Sequence, residues 1–146
     1  DVGPPPAPSP LVDLLDEPPV EQLVMVPGAL QALDHFLRDH YSGAQAPIDP
    51  TLHDLLHALH TTLDAREPFQ VISGYRSPAS NAMLHKTSNG VAKRSLHMQG
   101  RAIDIRLPGT RLASLHGAAK EMKAGGVGLY TASNFIHVDT GNVRYW

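Results

Sequence analysis

Apolar residues recur at helical spacing in the first half of the chain and alternate with polar residues in parts of the second half. Asp49 is a good N-cap and Pro50 suits the first helical position, so the leucines that follow predict a helix ending before Pro68. A shorter helix is predicted after Ser77, and "RLASLHGAAKEMKAGG" predicts another that ends at the paired glycines. The leucine stripe consists of Leu52, Leu55, Leu56, Leu59 and Leu63.

The N-terminal region has a different composition from the rest. "DVGPPPAPSP" and "EPPV" hold many of the 13 prolines, which fix φ and lack an amide donor. We therefore expect residues 1–28 to form a Pro-rich arm and residues 29–146 to form one domain. A first helix is expected from Ala29 to about Tyr41, because Leu30, Leu33, Phe36 and Leu37 recur at helical spacing.

Short strands are predicted at "FQVIS", "RAIDIRL", "VGLY" and "FIHVDT", the last two as a hairpin over "TASN". Helices followed by strands interleaved with helices indicate an α+β domain. In "RAIDIRL" the aliphatic residues share one face, so Asp104 points to the other. In "FIHVDT" the same alternation places His137 and Asp139 together, opposite the aliphatic face.

Composition narrows the chemistry that this polar face can perform. The net charge of -2 gives no general attraction for nucleic acid or anionic membranes, and no apolar run approaches the roughly 18 residues of a membrane span. The chain has no charged start followed by an apolar run, so no signal peptide is expected in it. It also has no cysteine, so imidazole and carboxylate groups must hold any metal.

Three such groups can converge if the two polar strands belong to one sheet. Asp104 and His137 would then share a face, and His97 can fold back over it across a turn at Gly100. Two imidazoles and a carboxylate form the ligand set of a catalytic zinc site with a fourth position for water. The alternative is an ordinary polar face of a half-exposed sheet, since a single histidine is more often a surface or core group than a ligand.

A second histidine cluster lies on the leucine-rich helix. His53, His57 and His60 occupy one narrow face, turned roughly 115° from the leucine stripe at about 100° per residue. We expect this face to be exposed to solvent and to hold no functional metal.

Four segments resemble the bacterial murein endopeptidase K family over about residues 27 to 146: "SGYRSPASN", "GVAKRSLHMQGRAIDIRLPG", "GGVGLY" and "FIHVDTGNVRYW". This family belongs to a group of zinc peptidases that includes lysostaphin-type enzymes, D-Ala-D-Ala metallopeptidases and the hedgehog signalling domain. The resemblance implies one Zn²⁺ per chain, bound by His97, Asp104 and His137. It also implies a small antiparallel sheet with helices on one face and a zinc cleft on the other.

The implied activity is that of a zinc metallopeptidase of the periplasm or cell envelope. It would hydrolyse amide bonds in the peptide cross-links of peptidoglycan, between two diaminopimelate residues and to some extent between D-Ala and diaminopimelate. We expect a monomer whose partners are peptidoglycan peptide stems, and no nucleic acid. The alternatives are a D-Ala-D-Ala carboxypeptidase and a non-catalytic zinc module that binds cell wall or a protein.

Hydrolysis with metal-activated water also requires a base. Relatives place an acid three residues before the last histidine ligand, or a histidine two before it, whereas this chain has Asn134 and Phe135. Asp139 is the nearest carboxylate on the same strand face and is predicted to be the base. Its alternative role is to orient a histidine ligand.

The remaining site predictions come from the segments ahead of the first ligand. Arg76 corresponds to an arginine that relatives use to hold an oxyanion or a substrate carboxylate, although it can instead pair with an acid to fix its loop. Four further residues are predicted to bind substrate: Tyr75, Ser77, Asn81 and Ser95. Ser95 can equally stabilise the loop ahead of His97 by hydrogen bonding.

Overall fold

The computed structural model describes residues 22–23, 37–87, 91, 92 and 94–146, and it confirms the predicted α+β class. Most of the predicted arm and of the predicted helix from Ala29 to Tyr41 lies outside these residues. In chain order the elements are β1 (Gln22–Leu23), α1 (Pro50–Thr62), β2 (Phe69–Ser73), α2 (Pro78–Thr87), a 3₁₀ turn (Leu96–Gln99), β3 (Ala102–Arg106), α3 (Leu112–Met122), β4 (Gly126–Tyr130), β5 (Phe135–Asp139) and β6 (Arg144–Tyr145).

The strands form one six-stranded sheet in the order β1-β2-β3-β5-β4-β6. Neighbours are antiparallel, as predicted, except that β6 pairs with β4 in parallel, so the sheet is mixed at this edge. The hairpin of β4 and β5 closes over residues 131–134 as expected. The sequence pattern predicts neither β1 nor β6, because strands of two residues are too short to show alternation.

The helices begin where their capping residues predict, but one ends early. The Asp49 carboxylate accepts a hydrogen bond from the Thr51 amide at 2.9 Å, which satisfies one of the free donors at the start of α1. Helix α3 ends at Met122, and Lys123 takes the left-handed cap with φ of 50°. The paired glycines predicted to end this helix lie beyond it, and Gly126 begins β4.

The two faces of the sheet have the environments that alternation predicts. The aliphatic residues of β3 and β5 are buried in one core with the leucines of α1 and with Leu115 of α3. Burial of apolar surface in this core is the main stabilising term, at roughly 25 cal/mol per Å². The polar residues of β3 and β5 are thereby held on the opposite face. Within the described residues no helix is both long and apolar enough to cross a bilayer.

Candidate metal centre

Sheet register and one tight turn bring His97, Asp104 and His137 together. Asp104 of β3 lies directly opposite His137 of β5 in the antiparallel ladder. His97 sits in the 3₁₀ turn ahead of β3, which ends at Gly100 with a left-handed φ of 67°. A Cβ at Gly100 would also collide with the carbonyl oxygen of Pro47, so glycine is needed on two counts.

The three side chains point their donor atoms at one another. Asp104 Oδ1 lies 3.2 Å from His97 Nε2 and 3.0 Å from His137 Nδ1. One ligand atom from each residue lies within 4.8 Å of the other two, and among the described residues no other group of histidine and acidic side chains does this. Both imidazoles are buried, whereas 13% of the Asp104 side chain is exposed, so the carboxylate is the side of the cluster nearest to solvent.

Outer hydrogen bonds determine which nitrogen of each histidine faces the cluster. His97 Nδ1 donates to the Gly74 carbonyl oxygen at 2.7 Å, and His137 Nε2 donates to Asp139 Oδ2 at 2.7 Å. A neutral imidazole has one N–H, so both inward nitrogens are then lone-pair acceptors. Two such nitrogens and a carboxylate oxygen repel one another unless a cation lies between them. The donor set of two imidazoles and one carboxylate suits Zn²⁺.

Burial and neighbouring groups favour the neutral form of His97 and the anionic form of Asp104. Burial, with the Arg76 guanidinium as the next contribution, lowers the pKa of His97 to about 4, so this imidazole is neutral at pH 7. Burial alone would raise the pKa of Asp104, but interactions with the adjacent His97 and His137 outweigh it and hold that pKa well below its usual value. At neutral pH the cluster therefore contains an anionic Asp104 carboxylate beside a neutral His97 imidazole.

Asp139 is completely buried beside His137, and both of its oxygens are engaged. Besides the His137 ring, it accepts hydrogen bonds from the amides of Gly126 and Gly141, both at 2.9 Å. The Arg144 guanidinium donates to Oδ1 at 3.0 Å and to Oδ2 at 2.8 Å. Burial would raise the pKa of Asp139, but hydrogen bonds from His137 and Arg144 lower it strongly. These contacts are those of a residue that orients His137.

Arg76 lies immediately behind the first histidine of the cluster. Its side chain is almost fully buried, its amide donates to the His97 carbonyl oxygen at 3.1 Å, and its guanidinium donates to Ser95 Oγ at 3.2 Å. Burial lowers the pKa of Arg76, whereas Asp104 acts in the opposite sense and favours the charged form. An arginine retains its proton in proteins, so the cluster has a fixed cation next to it.

Three of the predicted substrate-binding residues make contacts within the protein. The Ser95 hydroxyl is buried and accepts from the His97 amide at 3.1 Å, which caps the 3₁₀ turn. Ser77 Oγ accepts from the Ser80 amide at 3.2 Å, and Asn81 Nδ2 donates to the Ala92 carbonyl oxygen at 2.9 Å. These contacts stabilise the loops and α2 around the cluster. Tyr75, the fourth predicted residue, is partly buried and packs against the core.

Trp146 is a part of the site that the strand patterns do not predict. Its indole lies against the His137 ring, with centroids 5.1 Å apart, and its Nε1 donates to the Tyr130 hydroxyl at 2.7 Å. Gly128 lies opposite His137 in the sheet, and a Cβ there would come within 2.6 Å of Trp146 Cε2. A glycine inside a strand is the one local signal of such a close approach.

The histidines of α1 do not form a second cluster that could hold a metal among the described residues. His57 is exposed, while His53 and His60 are partly buried. His60 Nε2 donates to the Glu67 carbonyl oxygen at 2.8 Å, and its ring packs edge-on against Phe69. This ring therefore stabilises the end of α1 and the start of β2.

Comparison with known proteins identifies the family. The family model described as peptidoglycan L,D-endopeptidase MepK matches residues 21–146. The peptidoglycan L,D-endopeptidase MepK of Escherichia coli is 47% identical over 117 residues, which cover 80% of this chain and 64% of that protein. The probable peptidoglycan L,D-endopeptidase MepK of Haemophilus influenzae is 44% identical over 121 residues, 82% of this chain and 65% of that protein. No solved structure matches the chain significantly. The predicted resemblance is thus confirmed, and the chain belongs to the peptidoglycan L,D-endopeptidase MepK family.

Proposed function

We propose that this chain is a zinc-dependent endopeptidase that hydrolyses amide bonds in the peptide cross-links of peptidoglycan, in the periplasm or cell envelope. The observation that carries the proposal is the convergence of three acceptor atoms, from His97, Asp104 and His137, on one point of the sheet face. The names of the relatives support peptidoglycan as the substrate. By analogy with those names, the bond cleaved is an L,D link, and a cross-link between two diaminopimelate residues is our preferred substrate.

Zinc held at this point would supply a Lewis acid for the scissile carbonyl and lower the pKa of a water molecule beside it. The protein's own groups prepare the site for that chemistry. The Gly74 carbonyl and Asp139 fix the orientation of the two imidazoles. Arg76 provides a cation that does not titrate, placed where it can offset negative charge that develops on the substrate.

We assign Asp139 to orienting His137 and not to the base role predicted from the sequence. Its two oxygens already accept from an imidazole, two amides and a guanidinium, and its low pKa makes it a poor proton acceptor near neutral pH. A carboxylate that hydrogen-bonds the far nitrogen of a ligand histidine raises the basicity of that ligand.

Cleavage of a purified cross-linked muropeptide dimer tests the proposal. With zinc present, mass spectrometry should show monomers that carry a new free amine, and a chelator should abolish their formation. His97→Ala should be inactive, whereas His57→Ala, a matched change at an exposed histidine, should retain activity. Absence of cleavage by the zinc-saturated protein would contradict the proposal, and release of D-Ala from a pentapeptide alone would identify a carboxypeptidase instead.

A non-catalytic zinc module that binds peptidoglycan is the second candidate. It is favoured by Asn134, which stands where the resemblance to the wider group of zinc peptidases implies an acid, and by the complete engagement of Asp139. A protein that binds zinc and muropeptides but releases no amine would establish this second function.

A further inference from the structure

Tyr130 is a buried residue at the end of β4, on the same face of the sheet as the metal centre. It follows Gly128 by two positions, and Gly128 lies directly opposite His137 in the ladder. Because side chains two positions apart share a face, the Tyr130 ring lies on the face that carries His137. Leu129 points the other way and packs against the core. Tyr130 and His137 are therefore diagonal neighbours, at a separation of about 7–8 Å that an aromatic side chain can bridge.

The hydroxyl of Tyr130 accepts a hydrogen bond but donates none within the part of the chain that the structure describes. Its oxygen accepts from Trp146 Nε1 at 2.7 Å. An indole N–H can only donate, so this contact leaves the phenolic proton free and directs it away from Trp146. Only 5% of Tyr130 is exposed, and a buried donor without an acceptor is uncommon in proteins. The unused donor therefore indicates that a group from outside the chain supplies its acceptor.

Ring contacts hold this hydroxyl beside the metal centre. The Tyr130 ring stacks on Phe135, with centroids 4.7 Å apart and 21° between the ring planes. The Trp146 indole that donates to Tyr130 also lies against the His137 ring, with centroids 5.1 Å apart. A donor whose position is fixed before the substrate binds is well suited to stabilise charge that develops during a reaction.

The environment of the centre keeps the Tyr130 hydroxyl protonated. Burial, with the negative charge of Asp104 as the next contribution, raises the pKa of Tyr130 well above its usual value. The Arg76 guanidinium acts in the opposite sense and by a smaller amount. Both effects require the hydroxyl to lie near these two charged groups. At neutral pH Tyr130 is thus a hydrogen-bond donor and not a base.

We infer that the Tyr130 hydroxyl donates a hydrogen bond to the oxygen of the scissile carbonyl, and that this bond strengthens as negative charge develops on that oxygen. The inference rests on the proposed function and adds a catalytic residue to it. In amide hydrolysis the attacking water must lose a proton and the leaving amine must gain one, whereas the carbonyl oxygen needs only donors. A hydroxyl that keeps its proton suits the third of these groups. Tyr130 would act together with Arg76, which supplies a positive charge next to His97.

The kinetics of three proteins test this inference on a cross-linked muropeptide dimer. They are the wild type, Tyr130→Phe and the matched control Tyr145→Phe, which removes an exposed hydroxyl that donates to the Lys120 carbonyl oxygen of α3 at 3.1 Å. Loss of one donor to the developing oxyanion should lower kcat of Tyr130→Phe by about 100-fold. Its KM should stay within about threefold of the wild type, because the bond is made mainly in the transition state. Tyr145→Phe should match the wild type in both constants.

Calorimetric titration gives a readout that does not depend on activity. The ligands are a phosphinate analogue of the cross-link, which carries an anionic oxygen on a tetrahedral phosphorus, and an uncross-linked stem peptide. Tyr130→Phe should bind the phosphinate about 100-fold more weakly than the wild type, and bind the stem peptide and zinc like the wild type. An unchanged kcat, or an equal loss of affinity for both ligands, would overturn the inference. Weaker zinc binding with kcat restored at saturating zinc would also overturn it, since Tyr130 would then act only through Trp146 and His137.

A crystal structure of the wild type with zinc and the phosphinate decides the question even if Tyr130→Phe does not fold. The Tyr130 hydroxyl should lie about 2.7 Å from a phosphinate oxygen, and a distance beyond about 3.5 Å would contradict the inference. The outcomes also separate the inference from the proposed function. Phosphinate bound through Tyr130 without cleavage of any cross-link would support the donor and reject the endopeptidase, whereas cleavage unaffected by Tyr130→Phe would do the reverse.

Discussion

Replacing Asp139 with asparagine should weaken zinc binding without removing a ligand. The change keeps the size of the side chain but removes the charge that His137 and Arg144 contact. Loss of a partner that orients a metal-binding histidine typically lowers metal affinity by about 10- to 100-fold, or about 1.4–2.7 kcal/mol. Removal of one partner of a buried ion pair costs about 3–5 kcal/mol, and we expect the lower end because 21% of the Arg144 side chain is exposed.

Two measurements separate these effects. Competition with a chromophoric chelator gives the zinc affinity, and urea unfolding of the metal-free protein gives the free energy of unfolding. Asp49→Asn is the matched control, because Asp49 caps α1 and asparagine is an equally good N-cap. The control should bind zinc within about twofold of the wild type and lose less than about 1 kcal/mol of stability.

The result that refutes the orienting role is equally specific. If Asp139→Asn binds zinc like the wild type while kcat for cross-link cleavage falls by more than about 100-fold, Asp139 transfers protons, as the sequence alone predicts. If both zinc affinity and kcat fall, and kcat recovers at saturating zinc, the orienting role is supported.

Two further changes test the surroundings of the site. Gly128→Ala should displace the Trp146 indole, because the new Cβ would lie 2.6 Å from Trp146 Cε2. We expect a shifted tryptophan emission spectrum and several-fold weaker zinc binding. An unchanged emission spectrum would contradict the packing of Trp146 against Gly128. Desolvation would raise the pKa of buried Asp39, but hydrogen bonds from Ser77 and Tyr41 lower it. The ionised Asp39 therefore stabilises the fold at pH values above its unfolded pKa of about 4. This contribution is lost as the pH falls through the lower pKa of the folded state. Asp39→Asn should flatten the dependence of unfolding free energy on pH below 4, and an unchanged slope would contradict this.

The part of the site that depends on local alternation can be predicted from the sequence. Period-two patterns in β3 and β5 predict that Asp104 and His137 share one face, and in the structure they are cross-strand neighbours. The N-cap at Asp49 likewise predicts the start of α1 to the residue. In each case the information lies within a few consecutive residues, where steric and hydrogen-bonding rules act directly.

The contacts around the cluster depend on distant segments and escape such patterns. Trp146 reaches His137 because a two-residue strand pairs in parallel with β4, and nothing in "VRYW" shows a period. The arginine that engages Asp139 lies on the same short strand. Tertiary packing, not local propensity, sets these positions.

The central claim is that one zinc ion binds between His97, Asp104 and His137. Metal analysis combined with zinc X-ray absorption, on protein without a histidine tag, tests it most directly. We predict about one zinc per chain, bound by two imidazoles and by oxygen at the remaining positions, and lost in His97→Ala but retained in His57→Ala. Absence of zinc, or zinc retained in His97→Ala and lost in His57→Ala, would contradict the account.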